Sequence, residues 1–292
     1  MKKLALTATF LLLIGCLTVD AATAPESCEY KILLKAQNFA SFTQGCKLFW
    51  ELVESVALDH GVKVKKVEKT YPNREICFID THDFALYKKG FMLRSRSEEI
   101  LRKKQLRTGA DAEMTLKFRA SDFESTTIAP VNASENFSNE ISFEKDRVVK
   151  AFEPTSVFSV SSTVYQPGDL PTSLDEMLKF YPGMSRAGFH GSASLGLVNN
   201  IFITEKRLRL GEFKFDGVKA KSIFSVWYKK DQTAPLIGEF SFKVDLKPKN
   251  PAETIRNLEK IDSFFSDLVK RGKLFVAIGQ TKTGMIYRQK RK

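Results

Sequence analysis

Residues 239–246, Glu-Phe-Ser-Phe-Lys-Val-Asp-Leu, alternate without a break between polar and apolar side chains. Successive side chains of an extended strand point to opposite faces, so this segment can only be a strand with one polar face and one buried face. The same constraint recurs along the chain. Residues 29–34 set Glu29 and Lys31 against Tyr30 and Ile32, and residues 113–119 set Thr115, Lys117 and Arg119 against Met114, Leu116 and Phe118. Glu140, Ser142 and Glu144 share a face, as do Ile203, Glu205, Arg207 and Arg209. With Phe213, Phe215 and residues 223–228 added, the chain offers about eight half-polar strands joined mostly by turns such as Asp216-Gly217. That is the pattern of an antiparallel sheet.

Two long helices interrupt the strands. Ser41 with Gln44 has the spacing of a capping box, apolar residues follow at Phe42, Cys46, Phe49, Val53 and Val56, and Gly61 is placed to end the helix. Asn250, Pro251 and Glu253 predict a second start, ahead of an apolar stripe at Ile255, Leu258, Ile261, Phe265 and Leu268 that stops at Gly272. A shorter helix is expected over 174–180. Pro72-Asn73 and residues 108–111 read as turns, 120–139 as a long connection, 152–171 as weak strand pattern without chemistry, and 274–278 as a last strand. Residues 282–288 lead into a basic tail.

On the polar faces, basic residues recur two apart: Arg94 with Arg96, Lys117 with Arg119, Arg207 with Arg209. Like charges so placed repel unless an anion or carboxylates lie between them. A guanidinium offers a planar fork that matches phosphate or carboxylate oxygens, so these pairs are candidate anion clamps. Alternation alone leaves open whether they face solvent or the inside of a closed sheet.

Residues 78–96, Phe-Ile-Asp-Thr-His-Asp-Phe-Ala-Leu-Tyr-Lys-Lys-Gly-Phe-Met-Leu-Arg-Ser-Arg, join a strand, a turn and a second strand. Through Phe78, Asp80, Thr81, Asp83, Leu86, Gly90, Leu93, Arg94 and Arg96 the stretch resembles the signature of the CYTH superfamily, the triphosphate tunnel metalloenzymes. The resemblance implies an α+β fold, a closed antiparallel β-barrel or tunnel with helices packed outside and charged faces turned inward. It implies a phosphate-rich small anion held by Lys31, Arg94, Arg96, Lys117, Arg119, Arg207 and Arg209, with magnesium or manganese on Glu29, Glu140, Glu144 and Glu239. The chain departs from that pattern at Ser27, Ser142 and Ser241, where acids are expected. Hard divalent cations need several carboxylate oxygens, so these losses put metal-dependent phosphohydrolase activity in doubt. The alternative is a non-catalytic structural or small-molecule-binding barrel.

Forty-six Lys and Arg against 34 Asp and Glu favour an acidic partner, and nucleic acid is not the one expected. Lys2 and Lys3 ahead of an apolar run from Leu4 to Leu17 read as a signal segment over 1–21, which leaves 22–292 as one domain. It ends either at a lipobox that makes Cys16 a lipid-modified membrane anchor or at an ordinary cleavage site after Ala21. Both endings place the protein outside the cytoplasm, in the periplasm or on the outward membrane face. Of the remaining cysteines, Cys28, Cys46 and Cys77, at most one pair can form, and all three read as small buried hydrophobes. No Gly-rich phosphate loop or G-x-S-x-G elbow is present.

Overall fold

The structure is a computed structural model that describes residues 24–98, 112–246 and 251–289, with only the backbone of 251–255. The signal segment with Cys16, the turn expected at 108–111, Asn250 and the last basic residues lie outside the described residues. So does the side chain of Glu253.

Nine strands close into a barrel in the order β1-β5-β6-β4-β3-β2-β7-β8-β9. They are β1 (Ser27–Leu34), β2 (Lys63–Thr81), β3 (Phe91–Glu98), β4 (Glu113–Ala120), β5 (Asn139–Lys150), β6 (Glu153–Tyr165), β7 (Leu195–Phe215), β8 (Val218–Lys229) and β9 (Pro235–Asp245). Every neighbouring pair is antiparallel except β1 with β5, which run parallel over Ser27–Tyr30 and Glu144–Arg147. The expected ring is therefore present with one more strand and one parallel seam. The extra strand is β6, in the weakly patterned region. Its run Ser159, Ser161, Ser162, Thr163 gives little contrast between faces, which hides the alternation.

Pro72-Asn73 is not a turn. It falls in a register irregularity of one long strand, β2, between Tyr71 and Arg74. A bulge absorbs the proline, which has no N–H to give to a ladder. Residues 274–278 contribute only an isolated bridge from Val276 to Leu34, and residues 282–288 form a helix rather than a lead into the tail.

The helices are α1 (Phe42–Asp59), α2 (Ala85–Lys88), α3 (Glu124–Thr127), α4 (Leu174–Phe180), α5 (Pro251–Arg271) and α6 (Lys282–Arg288). Ser41 stands at the N-cap of α1, although its hydroxyl makes no capping hydrogen bond. Helices α1 and α5 cover one outer flank of the barrel. Trp50 lies on Phe213, Phe49 on Phe240, and Phe264 and Phe265 on Phe242, all within a single apolar cluster. Gly211 permits that docking, since a Cβ there would sit 2.3 Å from the Trp50 ring. A second cluster forms under α4, where Met177 and Tyr181 meet Leu93, Met114 and Leu116. With both flanks covered by apolar contacts, the charged face of each strand has only the barrel interior to turn to. Cys28, Cys46 and Cys77 are buried and unpaired.

Candidate functional site

The barrel encloses a cavity of about 1170 Å³. Its wall carries Lys31, Arg74, Arg94, Arg96, Lys117, Arg119, Lys150, Arg207, Lys282 and Arg288 against Glu29, Glu113, Glu144, Asp146, Glu205 and Glu239. Ten cations face six carboxylates, an excess of four positive charges in an enclosed space. Low-dielectric walls focus such a field, so the cavity attracts anions.

The 78–96 stretch positions two of the cations. Buried Asp80 accepts the backbone N–H groups of Thr81 (2.7 Å), Leu86 (2.9 Å) and Tyr87 (3.0 Å), and the Tyr287 hydroxyl (3.1 Å). Thr81 Oγ1 donates to Asp83 and accepts from Ala85 N–H. These bonds knot the turn between β2 and β3. Gly90 follows at φ +84°, a conformation that strains residues with a Cβ, and one added there would meet the Phe118 ring at 3.1 Å. The strand that leaves this turn puts Leu93 into the outer cluster, while Arg94 and Arg96 face the cavity.

On one side of the cavity Lys31, Lys117 and Arg119 are each paired. Glu29, Glu144 and Asp146 bring carboxylate oxygens within 4.8 Å of one another. Lys31 Nζ lies 2.8 Å from Glu29 and 2.9 Å from Asp146. Lys117 and Lys243 bond the two oxygens of Glu144 at 3.0 and 2.7 Å, and Arg119 lies 3.7 Å from Asp146. Lys117 above all holds the Glu144 carboxyl far below the usual range, against the opposing effect of burial. Burial also works against ionised Asp146, yet Lys31, Lys117 and Arg119 outweigh it and its carboxyl too is depressed.

On the other side arginines outnumber their partners. Arg96 pairs with Glu113 at 2.8 Å, Arg207 with Glu98 at 2.8 Å, and Arg74 sits 3.7 Å from Glu98 and 4.0 Å from Glu205. Arg94 makes no ion pair among the described residues. Burial first, and Arg96 second, push it down to about 9, against the opposing pull of the Glu113 and Glu205 carboxylates. The buried Nε atoms of Arg74, Arg94, Arg96 and Arg207, like that of Arg209 outside the cavity, have no hydrogen-bond partner among the described residues. A buried donor left unpaired costs on the order of 1–3 kcal/mol, so this wall is incomplete as it stands. A smaller cavity of about 340 Å³ shares Arg74, Arg96, Glu113 and Tyr165 with the large one.

A third group comes from α6. Lys282 Nζ lies 2.7 Å from Ser225 Oγ, 3.2 Å from Glu239 and 3.3 Å from Glu205, and 4.4 Å from the centre of the Trp227 ring. The Trp227 indole N–H donates to Glu205 at 2.8 Å. Burial raises Glu205, yet Lys282 and Arg96 together with the indole hold its carboxyl down to about 2.

Of the residues singled out from sequence, Lys31, Arg94, Arg96, Lys117, Arg119, Arg207, Glu29, Glu144 and Glu239 all line the cavity, as do Ser142 and Ser241. Arg209 and Glu140 are elsewhere. Arg209 lies at the β7 irregularity between Leu208 and Glu212, where it pairs with Glu212 at 2.9 Å and donates to the Tyr71 hydroxyl. Glu140 is exposed and accepts from the Tyr165 hydroxyl at 2.7 Å. Arg74, Asp146, Glu205 and Lys282 belong to the wall and were not singled out. Glu205 was placed on the Arg207 face by its spacing but given no role, and Asp146, two residues after Glu144 on the same strand face, would have been found by the same spacing. Arg74 was hidden behind Pro72, and Lys282 lies in a helix that had no legible start.

Glu29, Glu144 and Asp146 have the spacing of a divalent-cation cradle. Their partners do not fit one. The Lys31 ammonium already lies between two of the three carboxylates, and the third accepts from two further lysines. A magnesium ion, which takes oxygens at about 2.0–2.1 Å in octahedral array, would have to expel them.

No family model matches the chain, and no curated protein matches it. Among solved structures, one of a protein from Hippeastrum, named as an adenylyl cyclase candidate with a dominant triphosphatase activity, is 12% identical at a TM-score of 0.41, covering 89% of this chain and 94% of that one. An adenylate cyclase candidate from Bacillus halodurans is 12% identical at a TM-score of 0.31, covering 88% and 96%. A protein from Pyrococcus horikoshii is 12% identical at 0.31, covering 82% and 89%. At such scores these likenesses carry no argument about this chain.

Proposed function

We propose that the barrel is a receptor for a compact, highly charged phosphate anion of the triphosphate or polyphosphate class, in the manner of the CYTH tunnel proteins that the 78–96 stretch resembles. The observation that carries this reading is the excess of arginine on one wall. Arg94 has no ion-pair partner among the described residues, and beside it Arg74, Arg96 and Arg207 share three glutamates while their inner N–H donors find no acceptor among those residues. An anion with several oxygens supplies what that wall lacks. Charge-assisted hydrogen bonds are each worth roughly 1.5–3 kcal/mol, so one such bond from each of the four arginines accounts for the roughly 8 kcal/mol of micromolar binding.

The ligand sits against Arg94, Arg96, Arg74 and Arg207, with Lys117 and Arg119 at its far end. Magnesium or manganese, which the resemblance implies, would enter at Glu29, Glu144 and Asp146 only by displacing lysines. For that reason anion binding is the primary reading and phosphate hydrolysis the secondary one, favoured only by the closeness of those three carboxylates. We also carry forward export through the segment 1–21, with or without a lipid on Cys16, and a single mature domain over 22–292.

The test is calorimetric binding of inorganic tripolyphosphate, with phosphate release followed in parallel, for the purified protein and an Arg94→Ala/Arg96→Ala variant. Binding weakened at least about 100-fold in the variant, as two lost charge-assisted bonds require, supports the reading. Wild-type protein that binds no tripolyphosphate refutes it.

A further inference from the structure

We infer that Lys31 and Lys282 are built-in counter-cations: their ammonium groups take the places between the cavity carboxylates that a divalent ion would need, so the polyanion is bound without metal. The inference rests on the polyanion reading above but adds a property that reading leaves open.

Lys282 carries the argument furthest. An ammonium has three N–H donors, and here it meets three acceptors, Ser225, Glu239 and Glu205, at 2.7, 3.2 and 3.3 Å. Its side chain is 11% exposed, and the Trp227 ring lies beneath it. Both the donor count and the cation–π contact are those of a fixed cation rather than a solvated lysine. It arrives on α6, not on a barrel strand, and α6 is fastened independently. The Tyr287 hydroxyl donates to Asp80, the Tyr287 ring stacks on Tyr87 at 4.0 Å, and Asn199 Nδ2 donates to the Ile286 carbonyl at 2.6 Å. The helix therefore holds a positive charge at a set point inside the barrel.

Lys31 repeats the arrangement close by, on β1, which pairs with the strand that carries Glu239. It lies 2.8 and 2.9 Å from Glu29 and Asp146, with a side chain 15% exposed. Between them the two lysines touch Glu29, Asp146, Glu205 and Glu239. A divalent ion bonded to the same oxygens would sit within a few ångströms of an ammonium, where like charges in a desolvated site repel strongly. If Lys31 swung out to water, Glu29 would lose its ammonium and buried Asp146 would keep only Arg119 at 3.7 Å; if Lys282 did, Glu239 would lose its ammonium and buried Glu205 would keep only Arg74 at 4.0 Å and the Trp227 N–H. The carboxylates thus fix the lysines, and the lysines exclude the metal.

The experiment is a manganese titration read by electron paramagnetic resonance, with tripolyphosphate calorimetry in EDTA and in excess manganese, on wild type, Lys282→Met and Lys31→Met/Lys282→Met. Wild type is expected to show no manganese site tighter than about 1 mM, the affinity expected of scattered surface carboxylates at most. Its tripolyphosphate affinity should agree within about twofold with and without metal. The double variant should gain a manganese site at least about tenfold tighter, as the freed carboxylates demand. Trp227 emission should change in Lys282→Met and become manganese-sensitive there.

Tight manganese binding by wild type, or loss of tripolyphosphate binding in EDTA, overturns the inference without reference to any variant. A folded double variant that gains no manganese site overturns it as well. If the double variant melts, the single variant and the wild-type titration decide. If wild type binds no tripolyphosphate under any condition, the polyanion reading fails while the manganese titration still rules on the lysines.

Discussion

The two sides of the cavity are built from the same residue types and differ in how the charges are settled. Around Glu29, Glu144 and Asp146 each carboxylate has an ammonium within 3.0 Å. Around Arg94 and its neighbours, four guanidiniums share Glu98, Glu113 and Glu205, and Arg94 has none of them within bonding distance. The lysine side is complete as folded, so its charges stabilise the barrel. The arginine side has more cations than carboxylates to settle them, and on the proposed reading an anion supplies the remainder. That difference, rather than the number of cations, is why the proposed ligand is assigned to this side.

The largest effect should come from breaking the completed side. Lys31→Met takes the only close ammonium from Glu29 and leaves buried Asp146 to the more distant Arg119, 3.7 Å away, and breaking a buried pair typically costs about 3–5 kcal/mol. Denaturant unfolding should show a loss of that order at neutral pH. The pH dependence gives the sign independently. The Glu144, Asp146 and Glu205 carboxyls are depressed in the fold, so wild type owns their stabilisation above the ordinary carboxyl range, near 4.5 for a glutamate, and loses it as pH falls toward about 2. In the variant Asp146 gains less from staying ionised, and the deficit should shrink as pH falls through the ordinary carboxyl range. A deficit that stays constant with pH would mean that Lys31 acts through packing alone.

Breaking the other side should do the reverse. Arg94→Met removes a desolvated charge that has no partner and puts an unbranched apolar chain in its place. Unfolding should become harder, by about 1 kcal/mol, while tripolyphosphate affinity falls at least about tenfold. A gain in stability coupled to a loss of binding is the signature of a residue kept for its ligand. If Arg94→Met destabilises the protein as Lys31→Met does, the two sides are alike and the comparison collapses.

The comparison could be half read in the sequence. Period-two alternation, with Asp216-Gly217 as a turn, marked most strands and their polar faces, and the i, i+2 basic pairs marked half of the cationic wall, because both depend on nothing beyond the pleat of a strand; closure into a ring was implied only by the resemblance of residues 78–96. Where the pleat is broken, inference from spacing failed. Arg209 shares sequence parity with Arg207, but the irregularity between Leu208 and Glu212 takes it out of the cavity lining. Strand β6 went unread because serine and threonine suit either face. Counter-charges were the least legible part. Whether a lysine meets a carboxylate depends on which strands become neighbours, and the parallel seam between β1 and β5, which brings Glu29 and Lys31 beside Glu144 and Asp146, has no local signal. Lys282 reaches the wall from the far end of the chain.

The smallest effect is expected at Glu144 itself, where one carboxylate serves two lysines in different surroundings. Lys117 bonds one oxygen at 3.0 Å with its side chain 15% exposed, and Lys243 bonds the other at 2.7 Å with its side chain 51% exposed. Distance alone ranks Lys243 first. Solvent ranks it second, because an ammonium that is half in water gives up little on leaving its partner, and exposed pairs are worth about 0.2–1 kcal/mol. Lys243→Ala should therefore cost less than about 1 kcal/mol, and most of that should vanish in high salt, while Lys117→Ala should cost several times more and respond weakly to salt. Unfolding midpoints of the two variants at low and high ionic strength decide the matter. Equal costs would show that Glu144 lies in one uniform dielectric, and the line between the completed wall and the solvent would then have to be drawn further in, at Lys31 and Asp146.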